Sequence, residues 1–343
     1  MSTIPTELGI PPGEMHQFLR KCGLAHAEEI PKFEQLSGGV SSAIFKVTLA
    51  SGDYCIKKPL ERLKVEKQWH VPVDRVYAEI NWLELANRLV PGHVPKVLGV
   101  SKEFGLYVME WLDSAKHSNW KDRLFQGIFD DGVGTELASV LATLHARTAN
   151  DDQIARQFAN HENFYLLRLE PYLIESARIN PDVAAELIEL VHRQQSIDIA
   201  LLHGDVSPKN ILLGPDGVVL VDAECACVGD PSFDVAFILN HLLLKSVALH
   251  RLEARMIELL CEVSNAYFSR VTWEDAYSLE KRVVHLLSAL LLARVDGRSP
   301  VEYLSDTDRS LVRNRALRLL KAPRSSIADL LDFWLEDNHP PGA

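Results

Sequence analysis

A chain of 343 residues is long enough for one large domain or two smaller ones with a buried core. Its hydrophobic fraction of 47% and charged fraction of 24% are ordinary for a globular protein, and its net charge of −11 argues against general nucleic-acid binding, which requires a basic face. Five irregularly spaced cysteines form no disulfide framework, and the N-terminal segment lacks a secretory signal pattern. We therefore expect a cytoplasmic protein with no membrane or nucleic-acid partner.

The first third of the chain predicts a helical leader followed by a small β-rich lobe. Three short strands, FEQL, AIFKVTL and DYCIKKP, are separated by the glycine turns SGGVSS and ASG. The segment DRVYAEINWLELANRL repeats its apolar residues with helical spacing, and VPKVLGV and GLYVMEWL predict two more strands. We expect residues 1–113 to form this lobe.

The remainder of the chain, from about residue 133, is mainly helical in pattern. The long apolar helices DVAFILNHLLLKSVAL, LEARMIELLCEVSNAYF and YSLEKRVVHLLSALLLAR follow two short apolar runs, IALLH and VVLVD, which flank the turn GPDG. We expect residues 114–343 to form a larger helical lobe, so that the whole chain is an α+β protein.

Residues 201–224, LLHGDVSPKNILLGPDGVVLVDAE, place acidic and amide side chains after each of these two apolar runs. Asp205 lies in a polar turn, where its carboxylate can accept a proton from a substrate hydroxyl. Asn210, and then Asp222 with Glu224, offer the hard oxygen ligands that Mg²⁺ prefers. A base, an amide ligand and a carboxylate ligand are what phosphoryl transfer from ATP requires, while a turn-capping role is the simpler alternative for Asp205 alone.

The strings HGDVSPKN and VDAECACVGDPSFDVA resemble the catalytic and metal loops of the aminoglycoside phosphotransferase and choline kinase superfamily. The resemblance spans about residues 33–304 and implies a bilobal protein-kinase-like fold and an ATP- and Mg²⁺-dependent enzyme that phosphorylates a small molecule. Protein kinases usually have Arg after the histidine and Phe-Gly after the metal aspartate. Here Gly204 and the pair Ala223-Glu224 stand at those positions and no activation segment follows, which favours the small-molecule branch over a protein kinase.

The resemblance also assigns a charged pair in the first lobe. Lys57 occupies the position of the strand lysine that contacts the α- and β-phosphates, and Glu79 on the following helix would pair with it. Lys58 alternates to the other face of the strand, so we expect it to be solvated.

Two further groups in the first lobe are nucleotide-binding candidates. Ser41 and Ser42, with the backbone N–H groups of SGGVSSAIFKV, would cover the phosphates, although a plain hairpin is an equal alternative. In VMEWL, the resemblance implies that Glu110 and Leu112 offer backbone groups to adenine.

Two stretches resemble methylthioribose kinase in particular: WHVPVDRVYAE in the first lobe and LLARVDGRSPVEYL in the second. The second stretch implies that Arg294 donates hydrogen bonds to hydroxyl groups of the acceptor. A helix C-terminus capped by Arg294 is the alternative.

Four polar residues near these motifs are expected to be structural. We expect His145 to be a satisfied core histidine and His203 to hold its loop by hydrogen bonds. Asp234 should cap a helix N-terminus and brace the catalytic loop, and Lys209 should face water.

These observations predict an ATP-dependent kinase that transfers a phosphoryl group to a hydroxyl of a sugar, polyol or amino alcohol. Asp205 orients and deprotonates the hydroxyl, while Lys57 and Mg²⁺ neutralise phosphate charge. A catalytically silent nucleotide- or partner-binding protein is the alternative, and the complete set of Lys57, Glu79, Asp205, Asn210 and Asp222 argues against it. The sequence leaves open the acceptor, ATP against GTP, direct metal ligation by Glu224, and monomer against homodimer.

Overall fold

The chain folds into two compact units, Met1–His117 and Ser118–Ala343. The computed structural model describes residues 8, 10–36, 42–60 and 75–336. Ser41 and the first part of WHVPVDRVYAE lie outside the described residues, so the expectations for them stay predictions.

The first unit contains an antiparallel five-stranded sheet and two α-helices among its described residues. These elements are α1 Pro12–Lys21, β1 Lys32–Gln35, β2 Ser42–Leu49, β3 Gly52–Pro59, α2 Arg75–Leu89, β4 Val97–Ser101 and β5 Leu106–Glu110. The strand order is β1-β2-β3-β5-β4, which places β3 at the centre of the sheet.

The sheet of the first unit shares one hydrophobic core with the leader helix. Successive side chains of a strand point to opposite faces, and in β2 this buries Phe45 and Val47 completely. Met15 and Leu19 of α1 belong to the same buried cluster. The leader is therefore an integral part of the first unit.

The second unit is mainly helical. Its α-helices are α3 Trp120–Phe125, α4 Val133–Thr148, α5 Asp152–Gln157, α6 His161–Phe164, α7 Glu175–Ile179, α8 Ala184–Ser196, α9 Ser232–Ala248, α10 Glu253–Phe268, α11 Ala276–Asp296, α12 Asp306–Lys321 and α13 Ile327–Glu336. A π-helix, Tyr165–Ile174, lies between α6 and α7, and short 3₁₀ turns occupy Pro181–Val183, Pro208–Asn210 and His250–Leu252.

Helix α9 is the centre of this unit. Every residue from Ser232 to Val247 is buried, because α9 packs against α10, α11 and α12. A helix that is apolar around its whole circumference is stable only in such a core. A polar residue on α9 is therefore destabilising unless it has a hydrogen-bond or ion-pair partner.

Short strands of the second unit form two small sheets. They are β6 Ser118–Asn119, β7 Ala200–Leu202, β8 Ile211–Gly214, β9 Gly217–Leu220 and β10 Cys227–Gly229. The sheets have the orders β10-β7 and β6-β8-β9. The apolar runs IALLH and VVLVD thus belong to different sheets, and β9 pairs across the GPDG turn with the strand that follows Asn210.

Among residues 8, 10–36, 42–60 and 75–336, no single helix has both the length and the apolar composition of a membrane span. Only Ser232–Ala248 and His250–Phe268 taken together pass on these two criteria, and they are bent by 116°.

The N-terminus of α12 offers a test of local stability. Ser305 accepts a hydrogen bond from the Asp308 backbone N–H at 3.2 Å, and the Asp308 carboxylate accepts one from the Ser305 N–H, which completes a capping box. Ser305→Ala removes one half of the box and should lower the free energy of unfolding by about 1 kcal/mol. Chemical denaturation measures this, with Ser310→Ala, an exposed site inside the same helix, as the control. Equal stability of the two variants would show that the cap contributes nothing.

Candidate active site

The first unit brings Lys57 and Glu79 together in its interior. The Lys57 Nζ lies 2.7 Å from the Glu79 Oε1, and the two residues are 3% and 2% exposed. The central strand β3 and helix α2 supply one partner each. Lys58 departs from the expectation of a solvated side chain, because its ammonium donates a hydrogen bond to the Leu8 carbonyl at 2.6 Å.

The other nucleotide-binding candidates of the first unit lie at strand ends. Ser42 is buried at the start of β2, opposite Pro59 of β3. Glu110 ends β5, and its backbone N–H donates to the Lys96 carbonyl at 2.9 Å. Leu112 is half-buried, two residues beyond the end of the strand.

In the second unit, the loop that carries Asp205 is held by the buried carboxylate of Asp234. The backbone N–H groups of His203 and Gly204 donate to its two oxygens at 2.7 and 2.8 Å. Bonds from N–H groups to a carboxylate are stronger than neutral ones. The bracing role predicted for Asp234 is confirmed. The capping role is wrong, because Asp234 lies inside the first turn of α9, and the first N–H group of that helix, at Ser232, donates to Asp230 at 2.9 Å.

Two histidines support this loop without exposure to solvent. His203 bonds through both ring nitrogens: Nε2 donates to the Val221 carbonyl at 3.1 Å, and Nδ1 accepts from the Asp205 N–H at 3.2 Å. Burial lowers the pKa of His203, so the ring is neutral and the predicted structural role is confirmed. His145 is likewise a satisfied core histidine, in contact with Tyr267 Oη at 2.7 Å and Asp234 at 3.4 Å.

The Asp205 carboxylate is 5% exposed and has two cationic partners. Arg168 Nη2 lies 3.0 Å from Oδ2, and Lys209 Nζ lies 3.2 Å from the same oxygen. Burial raises the pKa of Asp205, but Arg168 and then Lys209 outweigh burial and hold this pKa below its ordinary value. Asp205 is therefore an ionised carboxylate at neutral pH. The expectation that Lys209 only faces water is wrong, although its side chain remains half exposed.

Arg168 is a site residue that sequence reasoning missed. It lies on the π-helix, where it is 6% exposed, and its Nε donates to the Gly204 carbonyl at 2.6 Å. Its guanidinium also lies over the rings of Tyr172 and Phe237, at 5.9 and 5.7 Å from their centroids. Arg168 thus fixes both the backbone of the loop and the carboxylate of Asp205. Short π-helical segments often occur at functional sites, so the π-helix is the structural feature that would have drawn attention to Arg168.

The predicted metal ligands lie beside Asp205. Asn210 Nδ2 donates to the Asp205 carbonyl at 3.0 Å, and no described residue donates to Asn210 Oδ1. The Val221 N–H donates to the Asn210 carbonyl at 3.0 Å, which connects the loop of Asp222 to the loop of Asp205. Asp222 follows with φ of +69°, a left-handed conformation that is uncommon outside glycine and concentrated at functional sites.

This donor set fits a hard cation. The described residues contain no cluster of three or more His, Cys, Asp or Glu side chains placed to hold a metal ion. Asn210 and Asp222 instead provide one amide oxygen and one carboxylate, and the side chain of Glu224, two residues on, is buried at 8% exposure. Mg²⁺ accepts a small number of such ligands when phosphate oxygens and water complete its shell.

Arg294 lies near the end of α11 and does not cap that helix. Its Nη1 donates to Tyr172 Oη at 3.0 Å and to the carbonyl and hydroxyl of Ser299 at 2.5 and 3.1 Å. Its guanidinium lies 5.5 Å from the centroid of the Tyr172 ring, the same ring that Arg168 covers. The Tyr172 ring therefore connects Arg294 to Arg168, the ion-pair partner of Asp205.

Gly204 is required by the geometry of the loop. Its φ is +76°, and a Cβ atom there would lie 2.8 Å from the Cys225 carbonyl oxygen. Gly204→Ala should lower the melting temperature markedly, because a left-handed alanine costs about 1–2 kcal/mol before the clash is counted. Thermal denaturation measures this against Gly13→Ala, where the added Cβ meets no atom within 4 Å. A Gly204→Ala protein as stable as the parent would show that the loop relaxes freely.

Comparison with known proteins identifies the family and the fold. Residues 32–260 match the model of the phosphotransferase enzyme family. A methylthioribose kinase of Enterobacter sp. (strain 638) is 27% identical over 259 residues, which cover 66% of this chain and 63% of that relative. The matched region thus spans less than two thirds of the relative's length.

Solved structures show the same architecture at low identity. The ethanolamine kinase of Plasmodium vivax matches with a TM-score of 0.55 and 14% identity, over 89% of this chain and 85% of that chain. A choline/ethanolamine kinase family protein of Mesorhizobium loti matches with a TM-score of 0.52 and 17% identity, over 88% and 92%. The predicted α+β, bilobal kinase-like fold is confirmed. Because the family match runs from the first strand into α10, this protein belongs to the phosphotransferase enzyme family.

Proposed function

We propose that this protein is an ATP-dependent kinase that phosphorylates a hydroxyl group of a small molecule. The observation that carries the proposal is the setting of Asp205: a buried, ionised carboxylate on a braced loop, with the oxygen ligands of Asn210 and Asp222 beside it. Carboxylate, amide and second carboxylate occur in the order that phosphoryl transfer uses.

In the proposed reaction, Asp205 orients the acceptor and receives its proton. The hydroxyl oxygen forms a bond to the γ-phosphorus, the bond from that phosphorus to the β–γ bridging oxygen breaks, and ADP leaves. The hydroxyl proton passes to Asp205 and then to solvent. Since Arg168 and Lys209 lower the pKa of Asp205, this carboxylate is a weak base, and orientation of the nucleophile is its larger contribution.

The remaining roles concern the charge of the nucleotide. Mg²⁺ bound through Asn210 Oδ1 and Asp222 would neutralise phosphate charge, and Glu224 would reach it directly or through water. Lys57, whose ammonium Glu79 holds at 2.7 Å, would contact the α- and β-phosphates. Ser41, Ser42, Glu110 and Leu112 remain candidates for binding the nucleotide.

A sugar, polyol or amino alcohol is the proposed class of acceptor, in keeping with relatives named methylthioribose kinase and ethanolamine kinase. Purified protein should consume ATP in the presence of at least one acceptor from a panel of these compounds. Nucleotide binding without any acceptor-dependent ADP formation would favour a catalytically silent protein.

Asp205→Asn provides the direct test of the mechanism. The substitution keeps the size of the side chain but removes the carboxylate, so kcat should fall by about 10²–10⁴ while ATP affinity stays within a few-fold of the parent. Coupled measurement of ADP formation and calorimetric titration with ATP give the two quantities. Asp216→Asn, at an exposed turn between β8 and β9, is the matched control. Parent-like kcat in a folded Asp205→Asn protein would remove Asp205 from the mechanism.

Arg168→Met tests the positioning role of Arg168 through the pH profile. The active form of Asp205 is ionised, and Arg168 keeps Asp205 ionised down to a lower pH. Without that cation, burial raises the pKa of Asp205, so the acid limb of kcat/KM should move to higher pH. Lys209→Met should move it less, because the Lys209 ammonium is the weaker influence. A lower melting temperature with an unmoved acid limb would leave Arg168 only a structural role.

A further inference from the structure

Lys245 carries a buried amino group in the core of the second unit. It lies on α9 and is 1% exposed, and its Nζ makes no hydrogen bond or ion pair with a described residue. Its Nζ lies over two aromatic rings, 5.6 Å from the centroid of Phe125 and 5.1 Å from that of Tyr303. Burial lowers the pKa of Lys245 to about 7, and the charges of Arg294 and Lys121 act in the same direction.

Two more hydrogen-bond donors beside Lys245 have no partner among the described residues. One is Arg294 Nε, which is buried while Nη1 of the same side chain makes three hydrogen bonds. The other is the buried hydroxyl of Tyr303, whose ring also lies against Lys245. Burial raises the pKa of Tyr303 to about 12, so its hydroxyl remains a neutral donor.

Side-chain contacts link this group of donors to Asp205 through Tyr172, whose ring centroid lies 5.9 Å from the Arg168 guanidinium and 5.5 Å from that of Arg294. The Arg168 guanidinium, which pairs with Asp205, lies over the ring of Phe237, and that ring lies 5.2 Å from the ring of His241. Phe237, His241 and Lys245 follow one another at four-residue spacing, so they share one face of α9. Eight residues of helix rise about 12 Å, which is the separation of Lys245 from Phe237 along α9.

We propose that the acceptor of this kinase is an anion, a hydroxylated carboxylate or phosphate, whose charged group is bound by Lys245, Arg294 and Tyr303. The inference rests on the proposed function and narrows its acceptor class to acidic derivatives of sugars and polyols, so that neutral sugars and amino alcohols are excluded. The Nε–Nη2 edge of an arginine matches two oxygens of a carboxylate or phosphate, and an adjacent ammonium supplies a point charge. The acceptor's hydroxyl would then face Asp205.

The aromatic rings alone do not account for this arrangement. A cation–π contact replaces only part of the hydration that a buried ammonium loses, and it offers nothing to Arg294 Nε or the Tyr303 hydroxyl. A positively charged acceptor would add a further cation to this group, for which the described part of the chain provides no acidic partner. Arg294 Nε and the Tyr303 hydroxyl, which are buried and lack a hydrogen-bond partner among the described residues, are instead donors that a bound anion satisfies.

Matched acceptors test the charge directly with the unmodified protein. ATP consumption is measured with hydroxy acids from glycerate to gluconate, with the neutral alditols from glycerol to glucitol, with sugar monophosphates, and with amino alcohols. We expect kcat/KM for the best anion to exceed that for its neutral counterpart at least 10-fold. Preference for hydroxy acids identifies the group as carboxylate, and preference for sugar phosphates identifies it as phosphate. Equal or better turnover of neutral or amino acceptors would overturn the proposal.

Lys245→Met, which has a side chain of similar length but no charge, tests the contribution of Lys245 to acceptor binding. KM for the anionic acceptor should rise about 10- to 100-fold, the range for loss of a hydrogen bond to a charged group, while KM for ATP stays unchanged. Lys281→Met, an exposed site on α11, is the control and should leave both constants unchanged. An unchanged acceptor KM in folded Lys245→Met would overturn the assignment. Should that variant fail to fold, the matched acceptors still decide the question.

The two proposals fail in distinguishable ways. Turnover of neutral sugars or amino alcohols in preference to anions leaves the kinase function intact and removes the anionic acceptor. Absence of ADP formation with every compound, including the anions, removes both.

Discussion

The loop of Asp205 depends on one buried carboxylate, that of Asp234, which accepts hydrogen bonds from the backbone N–H groups of His203 and Gly204. These two hydrogen bonds fix the backbone one residue before Asp205, and the left-handed Gly204 then turns the chain so that Asp205 meets Arg168. Asp234 lies in the first turn of α9, whose later turns carry Lys245. One buried helix therefore sets both the position of the Asp205 carboxylate, proposed to be catalytic, and that of the lysine proposed to bind the acceptor.

The parts of this arrangement that are local in the chain could be predicted from the sequence. The five-residue spacing from Asp205 to Asn210 indicated a single loop, and the apolar periodicity indicated the long helices α9, α10 and α11. Partners that meet only through tertiary packing could not be predicted. Arg168 is distant from Asp205 along the chain, and it lies on a π-helix, which the α-helical periodicity of apolar residues does not predict. The pairing of β9 with β8 could likewise not be assigned from composition alone.

The cations around Asp205 make its carboxylate less basic and hold it in a fixed position. A general base is most effective with a pKa near the working pH, yet Arg168 and Lys209 move the pKa of Asp205 away from neutrality. What they provide is a fixed, ionised carboxylate, which in the proposed reaction accepts the hydrogen of the substrate's hydroxyl. A loose phosphoryl-transfer transition state requires little proton abstraction, so a well-placed weak base suits this chemistry better than a strong, mobile one.

The net charge of the whole chain is opposite in sign to the side chains proposed to bind the acceptor. The net charge of −11 falls mainly on solvated surface carboxylates of the second half, where water and salt weaken their influence. Lys245 and Arg294 act in a desolvated environment, where one charge at contact distance outweighs many distant ones. Net charge affects how fast an anion approaches, whereas Lys245 and Arg294 are proposed to determine whether it is retained. For this reason the acidic composition, which taken alone favours a cationic substrate, is compatible with an anionic acceptor.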